Sequence, residues 1–132
     1  MVSDRQNIAA GTQQPEKFDV IIVGAGISGI GSATLLRKHC PDLSFAILEA
    51  LEGHGGTWLI HKYPGTRSDS DLFTFGYGFK PWTGQPIASR GQILDYLGDA
   101  ITDSGLGPFI RYGHSVTSAD WSSETASWRL TV

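Results

Sequence analysis

The chain has 132 residues, which is enough for one domain with a modest core. Its formal net charge is −3, and no cluster of Lys and Arg appears, so charge gives no reason to expect nucleic acid or an anionic membrane as partner. No apolar run approaches the ~20 residues that cross a bilayer. We therefore expect an ordinary globular domain in the cytoplasm.

The single cysteine, Cys40, rules out an internal disulfide and fits a reducing compartment. It has no Cys or His partner at metal-ligand spacing, so we interpret it as a structural thiol and predict no metal site. Residues 1–16 are polar and lack the apolar core of a signal peptide. They are predicted to form a flexible leader before a domain over residues 17–132.

The chain first shows a strand, a helix and a second strand. The apolar run from Phe18 to Val23 predicts a buried parallel strand. A helical pattern follows from Ile27 to His39, and Pro41 prevents its continuation. Residues 44–48 then predict a second strand that ends at Glu49. Together they form a strand–helix–strand unit of roughly thirty residues.

The remainder is less regular at first. Residues 50–88 mix glycine, proline and aromatic residues without a period, which predicts ordered loops with one helical turn near 69–75. Ser89 and Gln92 form a capping-box pattern at the start of a further helix. Strand-like stretches follow at 109–112, 115–121 and 127–132, with a hairpin turn at 122–126. We predict an α/β fold, with a parallel sheet and crossover helix followed by a β-hairpin or meander. Because the sequence stops on an apolar strand, we expect a truncated domain.

The turn after the first strand carries the clearest motif, Gly24-Ala-Gly-Ile-Ser-Gly29, which is G-x-G-x-x-G. Gly24 permits a tight turn, Gly26 lets a diphosphate approach the backbone, and Gly29 lets the helix pack closely on the sheet. The free N–H groups at the helix start, including those of Ile27 and Ser28, then favour a bound anion. Its position between a strand and a helix predicts a dinucleotide site rather than a purely structural turn.

Glu49 stands at the end of the second strand, twenty residues beyond the last glycine of the motif. A carboxylate at this place accepts the hydroxyls of an adenosine ribose and repels a 2′-phosphate. The motif therefore predicts FAD or NAD at this site, and not NADP.

Gly55-Gly56-Thr57-Trp58 follows shortly afterwards. Two glycines offer backbone N–H groups to an anion or a ring edge, and Trp58 offers a flat aromatic face. The alternative is a turn with a core tryptophan, and the four residues alone leave both interpretations open.

These motifs together resemble the N-terminal third of Baeyer–Villiger and flavin-containing monooxygenases, whose FAD-binding domain is Rossmann-like. The segments Lys62–Gly84 and His114–Trp121 are especially similar to the ethionamide-activating subfamily. The resemblance runs from about Phe18 to the last residue. Its most specific motifs are Gly24–Gly29, Glu49, Gly55–Trp58 and Tyr63–Asp71.

The resemblance implies roles for individual residues. The residues of the glycine motif hold the FAD diphosphate, Glu49 binds the adenosine ribose, and the backbone of Val116 contacts the adenine. Asp69 lies beside the flavin and nicotinamide, where it helps to hold a catalytic arginine; the alternative for Asp69 is a helix N-cap. The implied cofactor-binding set is Gly24, Gly26, Ile27, Ser28, Gly29, Glu49, Gly56, Thr57, Trp58, Asp69 and Val116.

The resemblance also implies parts that this sequence lacks. A second G-x-G-x-x-G for NADPH and the later catalytic arginine do not occur in it. The complete enzyme is expected to use FAD, NADPH and O₂ to oxidise a small ketone or sulfur compound. Two alternatives are a non-catalytic fragment and one half of a split flavoprotein that a second polypeptide completes. A flavoprotein reductase is the runner-up, but the redox cysteine pair of that class is missing.

Overall fold

A computed structural model describes residues 14–132, so most of the predicted leader, residues 1–13, lies outside the described residues. The described part holds five strands, four α-helices and one short 3₁₀ turn. In chain order these are β1 Val20–Val23, α1 Ile27–His39, β2 Phe45–Leu48, α2 Thr57–Ile60, α3 Leu72–Phe75, α4 Arg90–Asp103, the 3₁₀ turn Gly107–Phe109, β3 Ile110–Arg111, β4 Ser118–Ser122 and β5 Ser127–Thr131.

The first three strands form a parallel sheet in the order β1-β2-β3. The predicted α/β fold with a parallel sheet and crossover helix is therefore confirmed. β2 lies in the centre and all its residues are buried. β1 is only partly buried, contrary to the sequence prediction, and Val23 is 63% exposed. The reason is that β1 has a neighbour on one side only within residues 14–132.

Helix α1 has the bounds that the sequence predicts, and it packs on the sheet through Ile30 and Ala33, which are fully buried. Its C-cap is Cys40, whose backbone N–H donates to the carbonyl of Leu36. The Cys40 side chain is exposed, so the thiol does not help to form the core.

Helix α4 closes the other side of the core. The predicted capping box is present, because the Ser89 hydroxyl accepts from the Gln92 N–H and the Gln92 side chain accepts from the Ser89 N–H. Its buried face joins α1 and the sheet in one apolar cluster. The largest fully buried side chains of the described residues are Ile30, Ile47, Leu72, Ile93, Leu97 and Leu106.

The predicted loop region contains two short helices rather than one. The turn predicted near residues 69–75 is α3, and α2 over Thr57–Ile60 was not predicted. A four-residue helix is too short to show a helical period, which explains the omission.

The C-terminal strands divide between two sheets. β3 pairs with β2 in the parallel sheet, so it is not the first strand of a meander. β4 and β5 form the predicted antiparallel hairpin, with Trp121 opposite Trp128. The turn between them ends at Ala126, whose φ is +47°.

Two further findings concern the described residues as a group. No helix among them is long and apolar enough to cross a membrane. They also contain no group of three or more His, Cys, Asp or Glu side chains placed to hold a metal ion.

Candidate nucleotide-binding site

The turn between β1 and α1 depends on two glycines for its shape. Gly24 has a φ of +97°, and its N–H donates to the carbonyl of Leu48 across 2.7 Å. A Cβ on Gly29 would lie 1.9 Å from the Gly24 carbonyl oxygen. The first turn of α1 therefore rests directly on the backbone of the preceding loop, as the sequence motif predicts.

Gly26 differs from these two, because no protein atom explains its missing side chain. A Cβ there would meet only Gly56, with its nearest atom 3.7 Å away, which is an ordinary van der Waals contact. Gly26 is the N-cap of α1, and it gives the helix no side-chain cap. The first turn also has no acidic residue. The positive end of the helix thus remains available to an anion that approaches the Gly26 backbone.

Glu49 holds this turn in place from the end of β2. Its side chain is buried, and its two oxygens accept from the Ala25 N–H at 2.7 Å and the Leu51 N–H at 2.8 Å. Each carboxylate oxygen has a second lone pair, so a ribose hydroxyl can still be accepted. The pKa of the Tyr112 hydroxyl is raised, chiefly by burial and also by the nearby charge of Glu49.

The Gly55-Gly56 turn lies directly against this first turn. The Gly55 N–H donates to the Ala25 carbonyl at 2.9 Å, and a Cβ on Gly56 would lie 3.3 Å from the Gly26 Cα. Both glycines have positive φ, of +122° and +52°. The two glycine motifs, thirty residues apart in the sequence, are therefore in direct backbone contact, with Gly55 buried and Gly26 and Gly56 partly exposed.

Thr57 and Trp58 begin the short helix α2 beside these turns. Thr57 is exposed, whereas Trp58 is half-buried and packs against the apolar core. Trp58 therefore has the contacts of a core residue. One side of it is partly exposed, and its contact with a flavin stays a prediction.

The segment of Asp69 is ordered by its neighbours. The Ser68 N–H donates to the Ala88 carbonyl at 2.9 Å, and the Ser68 hydroxyl donates to the Ser70 carbonyl at 2.6 Å. Asp69 itself is exposed. The N-cap of α3 is Asp71, which accepts from the Thr74 N–H, so the alternative interpretation of Asp69 as that cap is wrong.

Val116 lies in the connection between β3 and β4 and is partly buried. This connection passes the end of β2, because the His114 N–H donates to the Glu49 carbonyl at 2.8 Å. Val116 therefore follows, two residues along the chain, the His114 backbone that contacts Glu49, the ribose-binding candidate. Its predicted contact with adenine stays a prediction.

Ala25 is a site residue that the sequence analysis did not single out. Its N–H donates to Glu49, and its carbonyl accepts from Gly55. Because both contacts are made by the backbone, the identity of the side chain carries no signal of them. Only the position of Ala25 between two motif glycines could have drawn attention to it.

The geometry defines a nucleotide-binding α/β domain, and sequence comparison agrees. Residues 22–97, more than half of the chain, match the family described as NAD(P)-binding Rossmann-like domain. The chain belongs to this family.

More particular relatives are flavin monooxygenases. The chain is 50% identical over 118 residues to the FAD-containing monooxygenase EthA of Mycolicibacterium smegmatis (strain ATCC 700084 / mc(2)155), covering 89% of this chain and 24% of that protein. It is 48% identical over 118 residues to the probable FAD-binding monooxygenase AlmA of Acinetobacter sp., with the same coverage of 89% and 24%. The chain thus spans about a quarter of the length of the curated relatives it matches.

Solved structures give the same result. The structure of OTEMO complexed with FAD and NADP has a TM-score of 0.79 at 29% identity, covering 89% of this chain and 23% of that one. Oxidized steroid monooxygenase bound to NADP has a TM-score of 0.79 at 32% identity, with 86% and 22% covered. The resemblance to the FAD-binding part of a Baeyer–Villiger or flavin-containing monooxygenase is therefore confirmed.

Proposed function

We propose that this chain is the FAD-binding portion of an NADPH- and O₂-dependent flavin monooxygenase. The observation that carries the proposal is the contact between Gly26 and Gly56 at the start of α1, with Glu49 beside it. This arrangement joins an anion-binding helix end, a ribose acceptor and a second glycine turn on one surface. Bound FAD would supply the oxidation chemistry, and the protein would supply binding and orientation.

The residues present fit an extended dinucleotide. We assign the diphosphate to Gly24, Gly26 and the helix start, where the Gly26 N-cap provides no side-chain cap for the first helical N–H groups; the Gly24 N–H itself is bonded to the Leu48 carbonyl. Glu49 would accept the ribose hydroxyls with its remaining lone pairs. The full proposed set is Gly24, Gly26, Ile27, Ser28, Gly29, Glu49, Gly56, Thr57, Trp58, Asp69 and Val116, with Asp69 as the residue nearest to catalysis.

The reaction of the whole protein is part of the proposal as well. Relatives are named as FAD-containing monooxygenases, and one similar structure holds FAD and NADP. We therefore propose a small ketone or sulfur compound as substrate and NADPH as reductant, bound outside these 132 residues. We also propose a cytoplasmic location, and the domain bounds 17–132 are kept as a prediction.

A completing polypeptide is the second candidate, and exposed apolar side chains favour it. Val23 on β1 is 63% exposed, and Trp121 and Trp128 on the hairpin are 52% and 61% exposed. Such apolar surface at strand edges is usually covered in a folded protein. Because the chain spans about a quarter of its relatives' length, either a further part of the same polypeptide or the second chain of a split flavoprotein would cover this surface, whereas a non-catalytic fragment would leave it bare.

The test is FAD retention by the purified 132-residue chain, measured as visible flavin absorbance after gel filtration. Gly26→Trp would place a large side chain where the diphosphate is expected. Gly78→Ala is a control for the loss of a glycine elsewhere in the chain, because a Cβ at Gly78 meets no atom within 4 Å and its φ is not positive.

We expect wild type and Gly78→Ala to keep the flavin and Gly26→Trp to lose it. Flavin retained equally by all three chains would contradict the assignment of the diphosphate to Gly26. A wild-type chain that stays colourless would contradict independent FAD binding. Recovery of the flavin on adding a polypeptide with the NADPH-binding part would then support the split enzyme.

A further inference from the structure

His54 lies between the glycine turn and helix α4. A cavity of about 430 Å³ opens beside it, lined by Gly53, His54, Leu59, Leu94, Asp95, Gly98 and Asp99. The Nε2 atom of His54 is 3.2 Å from the Leu94 carbonyl oxygen. A carbonyl only accepts, so Nε2 must carry the hydrogen and donate it. His54 is half-buried, and this contact joins residues forty positions apart.

Gly98 gives the imidazole its room on α4. A Cβ at this position would lie 3.3 Å from Nε2 and 3.5 Å from Cε1 of His54. Glycine within a helix costs about 1 kcal/mol relative to alanine. The helix also contains Gly91, where a Cβ would meet nothing within 4 Å. The His54 ring thus gives a reason for glycine at 98 that does not apply at 91.

Leu94 supports the neighbouring residue of the same turn. A Cβ on Gly55 would lie 2.3 Å from Leu94 Cδ2, so the Gly55 backbone packs tightly on this side chain. Leu94 therefore contacts the turn twice, through its side chain at Gly55 and through its carbonyl at His54. On its other side, Gly55 donates to the Ala25 carbonyl.

We propose that His54 is a positioning residue that holds the Gly55-Gly56 turn against the Ala25-Gly26 turn. The path runs from the rigid helix α4 through the His54 hydrogen bond to the backbone that faces Gly26. Without the hydrogen bond, the turn keeps its contact with the Leu94 side chain and the Gly55 bond to Ala25 but loses the His54 hydrogen bond to α4. The effect on FAD rests on the proposed function, whereas the effect on the turn itself does not.

The test compares His54→Leu, which removes the donor at similar size, with His54→Gln, whose side-chain amide can still donate. Hydrogen exchange of the Gly55 amide reports the position of the turn, and a fluorescence titration reports the dissociation constant for FAD. A hydrogen bond of ordinary net strength corresponds to about a three- to tenfold change. We expect His54→Leu to speed Gly55 exchange and weaken FAD binding by about this factor, and His54→Gln to restore most of both.

Gly98→Ala and Gly91→Ala form a second, matched pair on α4. The first requires the His54 ring to shift by a few tenths of an ångström and the second does not, while both replace a helical glycine by alanine. We expect only Gly98→Ala to speed hydrogen exchange at Gly55, even though alanine makes the helix itself more stable.

Three results are informative. Unchanged Gly55 exchange in His54→Leu would overturn the proposal. Equal acceleration at Gly55 and at the buried β2 amides would also overturn it, since that pattern is global destabilisation. Faster exchange at Gly55 alone in His54→Leu, together with a wild-type chain that binds no FAD, would support the positioning role and contradict independent FAD binding by this chain.

Discussion

Gly26 and Gly29 belong to one motif, but the structure predicts opposite results for alanine at the two positions. A Cβ on Gly29 would lie 1.9 Å from the Gly24 oxygen and 3.0 Å from the Gly24 carbonyl carbon. Both atoms belong to the backbone and cannot rotate away. A Cβ on Gly26 would have its nearest neighbour at 3.7 Å. Gly29 is therefore required by the fold, whereas the fold leaves room for a Cβ at Gly26, where we propose that a ligand requires glycine.

The magnitudes follow from these contacts. Forcing an extra carbon into a packed position typically costs about 1–3 kcal/mol, and a backbone clash belongs at the upper end or beyond. This is a large part of the ~5–15 kcal/mol that stabilises a typical domain. At Gly26 two small effects oppose each other. Alanine is a poorer N-cap than glycine. It also lowers the entropy of the unfolded chain, which stabilises the folded protein by about 0.4–1 kcal/mol. The backbone there, with φ −81° and ψ −173°, also suits alanine.

The assay is urea unfolding of the chain without cofactor, followed by the fluorescence of its four tryptophans, together with an FAD titration. We expect Gly29→Ala to lower the free energy of unfolding by at least about 2 kcal/mol. Gly26→Ala should stay within about 1 kcal/mol of wild type and still lose most FAD affinity. The reasoning is refuted if Gly26→Ala unfolds as readily as Gly29→Ala, or if it binds FAD like wild type.

Two further predictions concern carboxylates. Glu49→Gln replaces one acceptor oxygen by an NH₂ group facing the Ala25 or Leu51 N–H. We therefore expect the free energy of unfolding, measured in urea without cofactor, to fall by about 1–3 kcal/mol. Wild-type stability in this variant would contradict the structural role of Glu49. The pKa of Asp19 is lowered from its ordinary value of 3.8, chiefly by hydrogen bonds from Ser44. Its stabilising effect is then present above the unfolded pKa and is lost as the pH falls through the folded pKa. Unfolding midpoints of wild type and Asp19→Asn should accordingly differ at neutral pH and converge in acid, and a constant difference would contradict this.

The strand–helix–strand unit was predictable because its signals are local. Helix α1 begins within the glycine motif, at Ile27, and ends before Pro41, and its predicted and observed bounds agree. The capping box of α4 likewise needs only Ser89 and Gln92, three residues apart. In both cases the residues that set the boundary lie within one helical turn of it.

The features that were not predicted depend on distant partners. The burial of β1 is determined by the number of strands beside it, and no property of residues 18–23 reveals that number. β3 has only two residues, and it joins the parallel sheet because it pairs with Ile47 and Leu48. The cap of α3 was ambiguous for another reason, since Asp69 and Asp71 are both suitable capping residues and only the backbone geometry distinguishes them.

Glu49 shows why the candidate site and the fold cannot be separated. The sequence motif assigns it to a ribose, yet in this structure both of its oxygens already accept from backbone N–H groups of the fold. One of these belongs to Ala25, whose carbonyl in turn holds Gly55. A single carboxylate thus fixes the first glycine turn, and through it the second. The residue that the motif assigns to a ribose is therefore also part of the hydrogen bonding of the fold.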